Sequence, residues 1–245
     1  MSRMKSVLGL GLLSALCLCA FGASTAAAAP SGVTLHECTN AGKGTGIKYT
    51  DGTCTTVNQS TGTFETETLP LNTTKEVKAT GTSSFILSAT VAGVKFTITC
   101  TGLESVGGSA TNEITGEEMF VSGEGKTKFT GCTVTAPVGK GCVVPGTIET
   151  VNLSSRTNAA MGTKYTPKTG EEFVTIPVTK CTTEALNGNK VVKGSATSET
   201  KTTATQGFTT TSGSSLTFGG QAATFTGDYH LATTVGGAQL YLETP

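Results

Sequence analysis

Apolar and polar residues alternate from Ser84 to Cys100, and no stretch after Ala29 carries a helical repeat of apolar positions. A period of two marks strands with one buried face. Phe85, Leu87, Ala89 and Val91 form one apolar row, and Val94, Phe96, Ile98 and Cys100 form another. Ala92-Gly93 between them reads as a two-residue hairpin loop. That loop sets Val91 opposite Val94, Ala89 opposite Phe96, Leu87 opposite Ile98 and Phe85 opposite Cys100. The apolar residues then share one face, and Lys95, Thr97 and Thr99 share the other. A slip of one residue would bury the polar face, so the register is well specified and Cys100 points inward.

Further strands are expected at 63–69, 119–122, 126–136, 147–153, 173–180, 190–197, 207–211, 216–218, 222–226, 229–234 and 239–242. Turn residues recur about every ten positions, which gives an all-β, antiparallel sandwich or barrel-like architecture. Residues 156–172 have weak periodicity and many turn formers, and are the expected long connection or domain seam. A faint echo links Ile98-Thr99-Cys100, followed by Gly108-Ser109-Ala110-Thr111, with Thr179-Lys180-Cys181, followed by Gly194-Ser195-Ala196-Thr197. It leaves open one β domain or two similar β units.

The amino terminus reads as an export signal. Arg3 and Lys5 precede an apolar run from Val7 to Phe21, and small residues follow from Gly22 to Ala29. Ala26-Ala27-Ala28 offers a cleavage site before Ala29, dividing the chain into a 1–28 signal and a secreted β domain at 29–245. The run is short for a membrane span, which needs about 20 apolar residues, so no membrane insertion is expected after cleavage. No sorting signal follows Leu242, so free release is expected. The full chain has 17 basic and 17 acidic residues; loss of Arg3 and Lys5 leaves a net charge of −2. A nucleic-acid partner would need a basic surface, so none is expected.

Six cysteines remain after cleavage: Cys38, Cys54, Cys100, Cys132, Cys142 and Cys181. An even number in an exported chain reads as three disulfides, and the close cysteine pairs typical of zinc sites are missing. Asp51-Gly52 reads as a type I′ turn that pairs Thr50 with Thr53 and Tyr49 with Cys54. Cys38 lies close upstream of Cys54, and those two are paired. Cys132 and Cys142 flank the glycine- and proline-containing stretch Thr133 to Gly141 and are paired as a local staple, leaving Cys100 with Cys181. The rival connectivity joins Cys100 to Cys132 and Cys142 to Cys181.

Several of these features occur together. A segment from Gly44 to Cys54 is followed by Phe96-Thr-Ile-Thr-Cys100, then Phe129-Thr-Gly-Cys132, Cys142, Gly146-Thr-Ile148, and Cys181 with Lys193-Gly-Ser195 behind it. In this order the chain resembles the uncharacterised exported β-proteins of some soil actinobacteria. The resemblance rests on cysteines, glycines and strand residues, and it implies no catalytic or binding residue.

The inventory for chemistry is thin. Beyond the signal there are two histidines, His36 and His230, and two aspartates, Asp51 and Asp228. The G-x-S-x-G elbow and the phosphate-binding G-x-x-x-x-G-K-[ST] loop do not occur. Thr224, Thr226, Asp228 and His230 fall on one strand face, so Asp228 and His230 form a weak polar-site candidate; the plainer reading is a solvent face with Asp228 in a turn after Gly227. His36 reads as a surface residue beside a disulfide. Glu65/Glu67, Glu117/Glu118 and Glu171/Glu172 read as solvated charges rather than glycosidase pairs. Thr97/Thr99 and Thr133/Thr135 read as exposed strand faces. No catalytic residue, metal site or cofactor is assigned. The leading expectation is a non-enzymatic extracellular protein in a binding or envelope role; the alternative is a secreted hydrolase acting on a polymer.

Overall fold

A computed structural model describes residues 31–42, 48–202, 205–209, 215–234 and 236–244. The expected export signal, residues 1–28, lies outside the described residues. The strands are β1 (Ser31–Gly32), β2 (Thr34–Asn40), β3 (Phe64–Thr68), β4 (Thr74–Gly81), β5 (Phe85–Val91), β6 (Val94–Cys100), β7 (Gly102–Thr115), β8 (Glu118–Thr130), β9 (Thr133–Ala136) and β10 (Thr147–Glu149). They continue with β11 (Leu153–Thr157), β12 (Thr163–Pro167), β13 (Glu172–Val178), β14 (Gly188–Lys193), β15 (Ala196–Thr202), β16 (Thr205–Thr209), β17 (Thr217–Phe218), β18 (Gln221–Thr234) and β19 (Leu240–Glu243). One single-turn 3-10 helix, Glu184–Leu186, is the helical element among the described residues.

The architecture is all-β, with large antiparallel sheets. Hydrogen-bonded neighbours run β18–β16–β15–β12–β11–β8–β7–β4 and return to β18 through His230↔Thr80, Thr233↔Lys78 and Thr234↔Val77. This barrel-like lobe is joined to a second layer by the long strands. Residues 221–226 of β18 leave the lobe to pair with β17 and β5, and β5, β6 and β9 continue that layer. A three-stranded sheet, β19–β2–β3, caps the lobe.

The hairpin of β5 and β6 has the register read from the sequence, from Val91↔Val94 to Phe85↔Cys100. Phe85, Ala89, Val91, Phe96, Ile98 and Cys100 are all buried. Phe85 packs against Phe129 and Phe225 with ring centroids 5.7 and 6.5 Å apart. Glycine makes room for it: a Cβ on Gly227, whose φ is +154°, would lie 2.3 Å from the Phe85 ring.

Other expectations are corrected. Asp51-Gly52 does not turn a tight hairpin: Tyr49 bridges Val57 instead of Cys54. The Asp51 carboxylate accepts hydrogen bonds from the backbone N–H groups of Thr53, Thr55 and Thr56, which holds a wider loop. The Thr53 hydroxyl, which also donates to this carboxylate, leads in keeping the carboxyl far below the ordinary carboxylate range, and the Thr55 and Thr56 N–H groups add to it. The expected seam contains β12, which pairs with β11 and β15 inside the lobe. The two echoed tetrads lie in different settings: Gly108–Thr111 inside β7, and Gly194-Ser195 between β14 and β15.

The disulfides are Cys38–Cys54, Cys100–Cys132 and Cys142–Cys181. The first is as expected. The staple Cys132–Cys142 and the long bridge Cys100–Cys181 are not formed. The reason is topological. β9 adds to β6, with Thr133 opposite Thr99, and this sets Cys132 beside Cys100. The chain then crosses to the end of β13, where Val143 exchanges two backbone hydrogen bonds with Thr179 and brings Cys142 to Cys181.

Candidate functional site

Buried apolar residues fall into separate clusters. The largest contains Phe85, Leu103, Leu153 and Tyr229; a smaller one under the cap contains Val33, Leu35, Leu69, Val121, Leu240 and Leu242. Within the lobe they are separated by small residues. On β7, Gly107-Gly108 bulges opposite Gly125 of β8, and a Cβ on Gly125 (φ +151°) would lie 2.9 Å from the Gly108 Cα. Gly123 of β8 is flanked by Ala110 of β7 and Ser155 of β11. Side chains this short do not fill the space between the strands, and a cavity of about 140 Å³ remains.

The cap supplies the aliphatic floor of this cavity with Leu35, Leu240 and Leu242, joined by Val77 and Val121. Asn112 fixes that floor. It is fully buried; its Oδ1 accepts from the Leu35 N–H at 2.7 Å, and its Nδ2 donates to the carbonyls of Leu35 and Leu69 at 3.1 and 2.8 Å. The other boundary carries hydroxyls from Ser105, Thr127, Ser155, Tyr165 and Tyr229. Ser105 Oγ accepts from the Ala79 N–H at 2.8 Å, replacing an acceptor displaced by the irregular β4–β7 pairing. Tyr165 and Tyr229 hydroxyls lie 2.5 Å apart, and Tyr229 also meets Ser198 at 3.1 Å. Among the described residues, the hydroxyls of Ser155 and Thr127 have no protein partner. Glu124 and Lys126 border the cavity on β8, but their charged ends form exposed ion pairs with Lys168 and Glu149.

Burial pushes the phenols of Tyr165 and Tyr229 above the ordinary range. Tyr241, beside the Cys38–Cys54 bridge, has a buried hydroxyl with no partner; burial, with the Asp51 charge adding to it, pushes its pKa up to about 12. An unfolded tyrosine ionises near pH 10. Above that pH the unfolded chain gives up protons that the folded chain keeps, so stability falls as pH rises; it is fully present below pH 10. Urea unfolding is expected to show a loss of about 1–2 kcal/mol between pH 9.5 and 11.5, accompanied by late phenolate absorbance at 295 nm. Constant stability across that window would contradict the burial of these phenols.

Asp228 and His230 stand with Thr224 and Thr226 on the exposed face of β18, as the alternation implied. They lie mid-strand rather than in a turn, on the face opposite Tyr229 and the cavity. No group of three metal-ligating side chains assembles among the described residues. Of the carboxylate pairs, Glu65 pairs with the buried Lys48 ammonium. Thr99 and Thr135 join their hydroxyls across β6 and β9 at 2.9 Å on an outer face.

His36 is more enclosed than its sequence position implied. Its Nε2 lies 2.8 Å from Thr34 Oγ1 and 3.7 Å from Glu243 Oε2, and its Nδ1 lies 3.3 Å from Thr68 Oγ1. A hydrolytic relay needs the carboxylate on the ring nitrogen opposite the nucleophile. The Thr34 hydroxyl shares Nε2 with the carboxylate, and Thr34 is only 3% exposed, closed to a substrate. The exposed Thr68 hydroxyl lies on Nδ1, opposite the carboxylate, and is the one hydroxyl of the cluster placed as a relay requires. The cluster is built from β2, β3 and β19, which the sequence did not show as neighbours.

Compared with known proteins, the chain matches no family model, no curated protein and no solved structure. No helix among the described residues is long and apolar enough to cross a membrane.

Proposed function

We propose that this chain is an exported, non-enzymatic β-protein that acts by binding outside the cell or at its envelope, and that it belongs with the exported actinobacterial β-proteins it resembles. The observation that carries the reading is the interior of the barrel-like lobe: it holds a recess with hydroxyl and aliphatic walls, lined among the described residues by no histidine, and the charged ends of Glu124 and Lys126 at its border are held in exposed ion pairs. Three disulfides support an oxidising compartment. The mature net charge of −2 supports partners other than nucleic acid.

Fractionation of producing cells under non-reducing conditions tests this. The expected product lies in the medium or envelope, begins at Ala29 and has no free thiol. A full-length, thiol-containing protein in the cytosol would end the proposal. The hydrolase reading draws on one observation, the Thr34–His36–Glu243 cluster. Polymer substrates such as peptidoglycan and α- and β-glucans should not be turned over by the wild type; turnover that His36→Ala abolishes would favour the hydrolase instead.

A further inference from the structure

We propose that the lobe cavity is a binding site for one small, uncharged, amphipathic molecule, mostly hydrocarbon with a single hydroxyl or carbonyl. The inference deepens the binding role proposed above and rests on it.

Size comes first. A cavity of about 140 Å³ matches, to order of magnitude, a buried apolar cavity of roughly 150 Å³ that accepts a benzene-sized guest. The void is formed by the strand pairing itself. Gly108, Gly123, Gly125, Ala110 and Ser155 come from three adjacent strands and align across the sheet, so the space lies in one belt between two apolar clusters.

Chemistry comes second. The floor of Leu35, Val77, Val121, Leu240 and Leu242 offers only hydrocarbon, and favours an apolar body. At the other boundary the Ser155 and Thr127 hydroxyls have no partner among the described residues, whereas the Tyr165–Tyr229 pair is already engaged. A guest with one polar group satisfies Ser155 or Thr127 and leaves the tyrosine pair intact. A charged guest meets no counter-charge inside, and transferring an unpaired ion into such a site is strongly unfavourable. Neutrality is therefore the sharpest selection the site makes. A second, almost wholly apolar space of about 80 Å³ adjoins it behind Thr127, Leu153 and Tyr165, and is lined by Phe85, Phe129 and Phe225. Its phenylalanine walls add no further polar contact.

Calorimetry and thermal shift on the oxidised mature protein test the proposal, with cyclohexanol as probe. Saturable binding at one site per chain is expected. Cyclohexanecarboxylate at pH 8 should bind at least about tenfold more weakly, because its charge is unpaired. Two substitutions from different strands fill the space, Ala110→Leu and Ser155→Val. Each should weaken cyclohexanol binding about tenfold or more while keeping a cooperative thermal transition. Ser155→Val also keeps the proposal testable if Ala110→Leu does not fold. Absence of cyclohexanol binding, equal binding of the carboxylate, or undiminished binding to a folded filled variant would each overturn the site. None of these would disturb the export and envelope tests of the broader reading, which fail or succeed on localisation and thiol content.

Discussion

Replacing Cys142 and Cys181 together by alanine is expected to lower the unfolding free energy by about 4 kcal/mol, against about 3 kcal/mol for the Cys38–Cys54 pair. The larger effect follows from the loop each bridge closes: 39 residues separate Cys142 from Cys181, and 16 separate Cys38 from Cys54. Without the bridge, the segment between β9 and β10 is held to the β13 end by few backbone bonds, the Val143–Thr179 pair and Thr182 N–H to the Lys140 carbonyl. Removing both sulfurs avoids leaving a reactive free thiol, so the difference reports the cross-link. Urea midpoints of the two double variants check the order. A smaller loss for the Cys142–Cys181 variant would show that unfolded-chain entropy does not set the ranking. Non-reducing peptide mapping of the wild type should recover Cys100 with Cys132, and a Cys100–Cys181 peptide would refute the connectivity itself.

That connectivity shows where sequence reasoning stops. The β5–β6 hairpin was legible because its apolar rows, its two-residue loop and its burial all select one register. The cysteines carry no such local signal. Their partners depend on β9 adding to β6 instead of folding back on its own sequence, a pairing that the Thr133–Gly141 composition does not encode. Asp51-Gly52 misled for a related reason: an aspartate that binds three following N–H groups holds a loop as readily as Asp-Gly makes a hairpin.

In the sequence the long strands β8 and β18 read as pairs of short ones at their glycines, and β7 carries no strand expectation. Gly125 and Gly227 appear as punctuation in the sequence, yet each sits within a continuous strand where another residue approaches too closely for a Cβ. β4 was missed because its outward positions are charged or hydroxylated and its inward ones include small residues beside the cavity. The cavity has the same origin. No local window contains it, since its belt of small residues is assembled only when β7, β8 and β11 are in register. Asp228 and His230 were placed on the correct kind of face, an exposed one, but that face looks away from the recess. The closer grouping around His36 needed β19 beside β2, a contact between the two ends of the described chain.

Asn112→Ala is expected to cost about 3–5 kcal/mol, well beyond a typical substitution. One amide satisfies the N–H and carbonyl of Leu35 and the carbonyl of Leu69, all in a site that water does not reach. Alanine strands the Leu35 N–H and the Leu69 carbonyl, while the Leu35 carbonyl keeps the Leu69 N–H; leaving a buried polar group unpaired costs about 1–3 kcal/mol each, with relaxation recovering part. Asn112→Leu should be nearly as harmful despite its better volume match, because the loss is of hydrogen bonds and not of packing. Asn112→Asp should be at least as harmful as alanine: it keeps an acceptor for the Leu35 N–H, but it sets a buried carboxylate against two carbonyl oxygens with no counter-charge. The damage is also expected to be local. Hydrogen exchange should speed up in β2, β3 and β19 while β5 and β6 keep their protection, since the cap joins the lobe through this side chain and the Leu35–Leu242 cluster. Cyclohexanol affinity should fall in the same variant, because the cap's leucines are the cavity floor. Uniform loss of protection would mean that cap and lobe unfold as one unit, and full retention in β2 would mean that the apolar contacts alone hold the cap in place.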